Sequence, residues 1–135
     1  MDTNGRHSIS RGGSVQLTLP DSTDAIPVAR RAVEVIAFSV EPEMREHTQL
    51  VVSELVTNGL QHGRGAVTLS FLVSEGGRVS GAVIDEGGGF DPPPPPAPGD
   101  GPGGWGLSIV ASLVEKWGVQ RDSTRVWFAM PAGRD

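Results

Sequence analysis

The sequence predicts an α+β domain: a two-layer sandwich with a mixed, mostly antiparallel sheet and helices on one face. Three observations carry this. Val67, Leu69, Phe71 and Val73 alternate with Ala66, Thr68, Ser70 and Leu72, the period of a half-buried strand. A turn-forming run, Ser74-Glu75-Gly76-Gly77-Arg78, follows at once and leads into a second apolar run, so the two strands form a hairpin. The two longest helical patterns come earlier and are adjacent in the chain, so strands and helices do not alternate as they do in parallel α/β folds.

The elements follow in order. Residues 1–14 are polar and Gly-rich and read as a tail before a single domain at 15–131. Val15-Gln16-Leu17-Thr18-Leu19 alternates as a first strand. Pro20-Asp21-Ser22-Thr23 supplies a turn and a helix cap. A helix is expected over about Asp24–Val40, with Val28, Ala32, Val35, Ile36 and Ser39 on its inner face and Pro27 in its first turn. A second helix runs from about Pro42 to Gln61, with Val51, Val52, Leu55, Val56 and Leu60 as an apolar stripe and Gly63 and Gly65 ending it.

The hairpin's return strand is Val79 to Asp85, with Ala82, Val83 and Ile84 as core. Residues 86–104 hold five consecutive prolines, Pro92 to Pro96, and many glycines, so regular structure is excluded and a binding loop or lid is expected. A third helix is expected from about Trp105 to Lys116, with Leu107, Val110, Leu113, Val114 and Trp117 on one face and Gly118 as its C-cap. Strands at Val119–Arg121 and Thr124–Met130 end the domain.

Composition narrows the function. The chain has 135 residues and a formal net charge of −5, which disfavours nucleic acid as a partner because an acidic surface gains nothing from counterion release. It has no cysteine, so disulfides and thiolate metal sites are excluded. No signal-peptide pattern and no membrane-length apolar run is present, so a cytoplasmic location is expected.

Four short constellations carry candidate chemistry. Glu54 and Asn58 lie four apart, on one helix face, where a carboxylate and a carboxamide can hold hydrated magnesium and orient a hydroxyl. Taken alone, the pair reads more readily as a solvated helix flank. Asp85-Glu86-Gly87-Gly88-Gly89 closes a core strand; its acid can accept from an exocyclic amine, and its glycines admit a flat ring, although such a run is also a common turn. Gly103-Gly104-Trp105-Gly106-Leu107 opens a helix, whose free N–H groups suit phosphate, although the same glycines also read as a flexible helix start. Ser123-Thr124 enters the last strand, where a hydroxyl could meet the ring edge, although a β-favouring Thr after a turn is the commoner reading of such a pair. No G-x-G-x-x-G follows a strand and no P-loop is present.

The order of these motifs resembles the GHKL ATP-binding superfamily of gyrase B, the ninety-kilodalton heat-shock chaperones, sensor histidine kinases and MutL, over about Leu17 to Pro131. The length and the ending Arg125-Val126-Trp127-Phe128 look like its small stand-alone members, the anti-sigma factor serine kinases and their actinobacterial relatives. The resemblance implies a histidine kinase-like ATPase domain using ATP and magnesium. Asn58 would hold the magnesium ion, and Glu54 would be the catalytic base. Asp85 would bind the adenine amino group, with Gly87 and Gly89 making room for the nucleotide. Gly104, Gly106 and Leu107 would open the phosphate-binding helix, and Thr124 would support the adenine. It implies a kinase that phosphorylates a small anti-sigma factor antagonist, with a sigma factor as a second partner and a homodimeric state. The alternative is a non-catalytic ATP-dependent regulator. The sequence departs from the family in having no Lys or Arg over 86–104, where Glu86, Asp91 and Asp100 lie.

Overall fold

The computed structural model describes residues 13–36, 40–63, 65–74, 76–86, 107–120 and 125–132. The elements run β1 (Gly13–Thr18), α1 (Ala25–Ile36), α2 (Pro42–His62), β2 (Thr68–Val73), β3 (Val79–Ile84), α3 (Leu107–Leu113), β4 (Lys116–Gln120) and β5 (Arg125–Ala129). The strands form one sheet in the order β1-β2-β3-β5-β4. The expected α+β sandwich is present. Its sheet is antiparallel in all four described pairings rather than mixed, because each strand pairs with a neighbour running the other way.

Register decides which side chains meet. Val15 stands opposite Phe71, Phe71 opposite Gly81, Gly81 opposite Phe128, and Phe128 opposite Trp117. The next row on the same face is Leu17, Leu69, Val83, Val126 and Val119. This face is covered by helices and forms the core with Val51, Val52, Leu55 and Val56 of α2. Glycine at position 81 is required there: a Cβ would stand 2.6 Å from the Ser70 carbonyl oxygen and 3.0 Å from the Phe128 ring. The opposite face carries exposed Ser14, Gln16, Thr18 and Leu72. Ile84, expected in the core, is half-buried on that face because Val83 takes the inward position.

β1 begins two residues before the expected Val15, since Gly13 and Ser14 pair with Val73 and Leu72. Pairing continues past β1, where the Leu19 amide donates to the Val67 carbonyl at 2.8 Å. The Ser22 hydroxyl accepts from the Asp24 amide at 3.1 Å and closes the turn before α1. The buried stripe of α1 is Ala25, Ala29 and Val33, each fully inaccessible. The face expected from Val28, Ala32 and Val35 is therefore displaced: Val28 is 36% and Val35 59% exposed. Small side chains at positions 25 and 29 let α1 lie close against its neighbours, and hydrophobicity alone does not report that fit.

α2 is the central helix of its layer, packing on α1, on α3 and on β3. It starts with Pro42 in its first turn and ends where the Gly63 amide donates to the Gly59 carbonyl at 3.0 Å. Two of its hydroxyls are satisfied locally: buried Thr48 donates to the Met44 carbonyl and half-buried Thr57 to the Ser53 carbonyl, both at 2.7 Å. The Arg30 guanidinium of α1 donates to the Ser53 hydroxyl at 3.0 Å, and the Gln49 amide donates to the Arg30 carbonyl at 2.9 Å, joining the two helices.

The β2–β3 hairpin turns as expected, with Gly77 at φ 82° and the Ser74 amide donating to the Arg78 carbonyl at 2.9 Å. The third helix differs from expectation at its C-terminal end. It stops at Leu113, and one further bond, from the Val114 amide to the Val110 carbonyl, closes its last turn. Trp117 and Gly118 lie within β4, not on a helix face and a C-cap. Sheet pairing outcompetes the helical period: the Glu115 amide donates to the Ala129 carbonyl at 2.8 Å, and Trp117 takes its place opposite Phe128.

Candidate functional site

Of the expected site residues, Glu54 and Asn58 stand on α2, Asp85 follows β3 and Leu107 opens α3. Glu54 and Asn58 are both half-buried on α2, one turn apart. Asp85 is the first residue after β3 and is only 9% exposed. Strand alternation from Val83 places Asp85 on the helix-covered side.

The C-terminal turn of α2 brings these two elements together, and glycines make the approach. A Cβ on Gly59 would stand 3.4 Å from both γ-carbons of Val67 and 3.6 Å from Cγ1 of Val83, so this turn rests directly on the ends of β2 and β3. A Cβ on Gly63 would collide with the Asp85 carboxylate oxygen Oδ2 and stand 2.5 Å from its carboxyl carbon. A Cβ on Gly65, at φ 69°, would collide with the Glu86 carboxylate. The acid after β3 therefore lies against the cap of the helix that bears Asn58. Asn58 and Gly63 are five residues apart, about 7.5 Å along a helix axis.

Sequence reasoning missed the part played by Gly59, Gly63 and Gly65. Gly63 and Gly65 were legible only as helix terminators. The signal available was three glycines in seven residues, which is more than stopping a helix requires.

Leu107, expected to help open a phosphate-binding helix, is 6% exposed and belongs to the hydrophobic core at the first position of α3. Gly87, Gly89, Gly104, Gly106 and Thr124 lie outside the described residues. An apolar groove of about 310 Å³ lies between β1 and α1, but none of the site residues lines it.

Asn58 and Asp85 are the groups here that could hold a nucleotide or a hard cation. Asn58 offers an amide oxygen, and Asp85 offers a nearly buried acceptor for an amine. Among the described residues no group of three His, Cys, Asp or Glu side chains could cage a metal. Magnesium does not need such a cage when phosphates and water complete its shell around one or two protein oxygens. Also among the described residues, no helix is long and apolar enough to cross a membrane.

The fold defines the class: an α+β sandwich whose central helix ends against the residue that follows β3. A family model described as histidine kinase-like ATPase domain matches residues 19–130, and the chain belongs to that family. Among solved structures it is similar to the RsbU and RsbW domains of Rv1364c from Mycobacterium tuberculosis, with a TM-score of 0.67 and 18% identity. That match covers 90% of this chain and 33% of the other, so this chain spans about a third of the structure it resembles. No curated protein matches the chain.

Proposed function

We propose that this ATP-binding domain is a serine/threonine protein kinase and anti-sigma factor that phosphorylates a small antagonist protein. The observation that carries the reading is the placement of Glu54 and Asn58 one turn apart on a helix whose cap closes on Asp85. Similarity to a structure containing an RsbW domain supports it at the level of fold.

In this reading the Asp85 carboxylate accepts from the adenine amino group and sets the nucleotide's orientation. The Asn58 amide oxygen holds magnesium, which when bound offsets charge on the phosphates. Glu54 accepts the proton of the antagonist's Ser or Thr hydroxyl as its oxygen attacks the γ-phosphorus in line; the bond to the β-phosphate oxygen breaks and ADP leaves. Half-burial suits Glu54 to this role, since a base must be reachable by a protein substrate yet held by its helix. A sigma factor is proposed as the second partner and a homodimer as the working state.

The test is transfer of labelled phosphate from ATP to a panel of antagonist proteins. Wild type should label one Ser or Thr, and Glu54→Ala should reduce the rate by at least about a hundredfold while ATP still binds, the usual contribution of a general base. An unchanged rate in that variant removes Glu54 from the mechanism.

A second reading is favoured by one feature of the sequence. Residues 86–104 contain no Lys or Arg to grip the terminal phosphate. A non-catalytic, ATP-dependent partner-binding regulator would bind the nucleotide and the antagonist with no labelling of any candidate.

A further inference from the structure

We infer that Gly63 is a specificity-determining positioning residue: the bare Cα at the α2 cap leaves room for the Asp85 carboxylate orientation that reads the nucleobase. The inference rests on the assignment of Asp85 to the adenine amino group made above. It goes further in naming a neighbour that gives the carboxylate space for that direction.

The geometry is specific to this position. Gly63 sits at φ −89° and ψ −170°, an extended conformation that any residue adopts, so the backbone does not call for glycine. Space does. A methyl group there would strike Asp85 Oδ2, stand 2.5 Å from Cγ, and stand 2.7 Å from the Gly59 carbonyl oxygen. The last of these is the acceptor of the cap's own hydrogen bond, so the α2 backbone cannot move away without loosening its end. The Asp85 carboxylate, the one side chain in the way, would have to turn, and the Gly59 carbonyl contact would strain the helix end besides. At 9% exposure Asp85 has little free volume, and any turn redirects its acceptor lone pairs. Two residues on, Gly65 meets the Glu86 carboxylate in the same way, so the chain leaving α2 is fitted to both acids leaving β3.

The chemistry gives a selective readout. A carboxylate accepts from the 6-amino group of adenine and repels the 6-oxo group of hypoxanthine. Misdirecting it weakens ATP binding and does not weaken that of inosine triphosphate. A glycine needed only as a helix cap would, when replaced, weaken both nucleotides alike.

The experiment measures dissociation constants for magnesium-ATP and magnesium-ITP by calorimetry. The proteins are wild type, Gly63→Ala, Asp85→Ala and the double variant. Gly63→Ala should weaken ATP by about tenfold or more, the scale of one charge-assisted hydrogen bond, with no weakening of ITP. In the Asp85→Ala background the same substitution should cost no further ATP affinity. Equal weakening of ATP and ITP by Gly63→Ala, or an unchanged ratio between them, overturns the role of Gly63 while leaving Asp85 in place. A wild-type preference for ATP that survives Asp85→Ala overturns the adenine assignment itself. If Gly63→Ala does not fold, thermal unfolding of the double variant decides. Recovery of a cooperative transition once the carboxylate is gone supports the contact, and an equally unfolded double variant overturns it.

Discussion

Asn58 combines an amide oxygen with a half-buried position one turn beyond Glu54 on α2. Removing that oxygen should act on the cation and not on the base. Asn58→Ala is expected to lower ATP affinity at millimolar magnesium by about tenfold or more, with the difference vanishing when magnesium is chelated. Calorimetric titrations with and without the ion check this. An equal loss under both conditions would place Asn58 in the structural support of α2 instead. At this scale the sequence was informative about polar groups and silent about space. Glu54, Asn58 and Asp85 are recognisable by type and order, because chemistry resides in the side chain. The fit of Gly63 against Asp85 is a distance between residues 22 positions apart, which no local pattern encodes.

At the scale of elements, the junction of α3 and β4 is the instructive case. The apolar residues from Leu107 to Trp117 fit a helical period, yet the chain leaves the helix at Leu113. Pairing with β5 gives residues 116–120 a ladder, and Glu115 joins it through its amide. Its side chain also pairs with Arg78 at 2.7 Å, although both groups are half exposed and such a pair contributes little. Gly118 serves this strand by proximity: a Cβ there would stand 2.8 Å from the Trp127 ring. Gly118→Ala should therefore push the indole aside and destabilise the β4–β5 edge by about 1 kcal/mol, the lower range for overpacking where a side chain can yield. Urea titration followed by tryptophan emission measures both effects, and an unaltered midpoint would mean that the ring moves without cost. The displaced face of α1 teaches the same lesson. Val28 and Val35 are more hydrophobic than Ala25 and Ala29, but the small residues are those that fit beneath the helix.

At the scale of the molecule, the sandwich depends on a core that reaches from β1 to β5 through Phe71 and Phe128, both 1% exposed. Phe71 lies in the sheet row that joins Val15 to Gly81, so its removal leaves a cavity beneath the helical layer. Phe71→Ala is expected to cost about 3–5 kcal/mol. Saturation with magnesium-ATP at a hundred times its dissociation constant should return about 2.7 kcal/mol, because only the folded state binds. Thermal unfolding with and without nucleotide tests both numbers, and a nucleotide-independent transition in wild type would contradict ATP binding by this fold.

Strand alternation, the Gly-rich turn and the long stripe of α2 are local regularities, so the amino-acid order suffices to define the sandwich, the place of α2 and β3 in it, and the identity of the polar candidates. Three features lay beyond that reach: the side of α1 that faces inward, the point where α3 yields to β4, and the closure of the α2 cap on Asp85. Each depends on which distant backbone fills a given space, and close packing is a property of neighbours in three dimensions rather than of spacing along the chain.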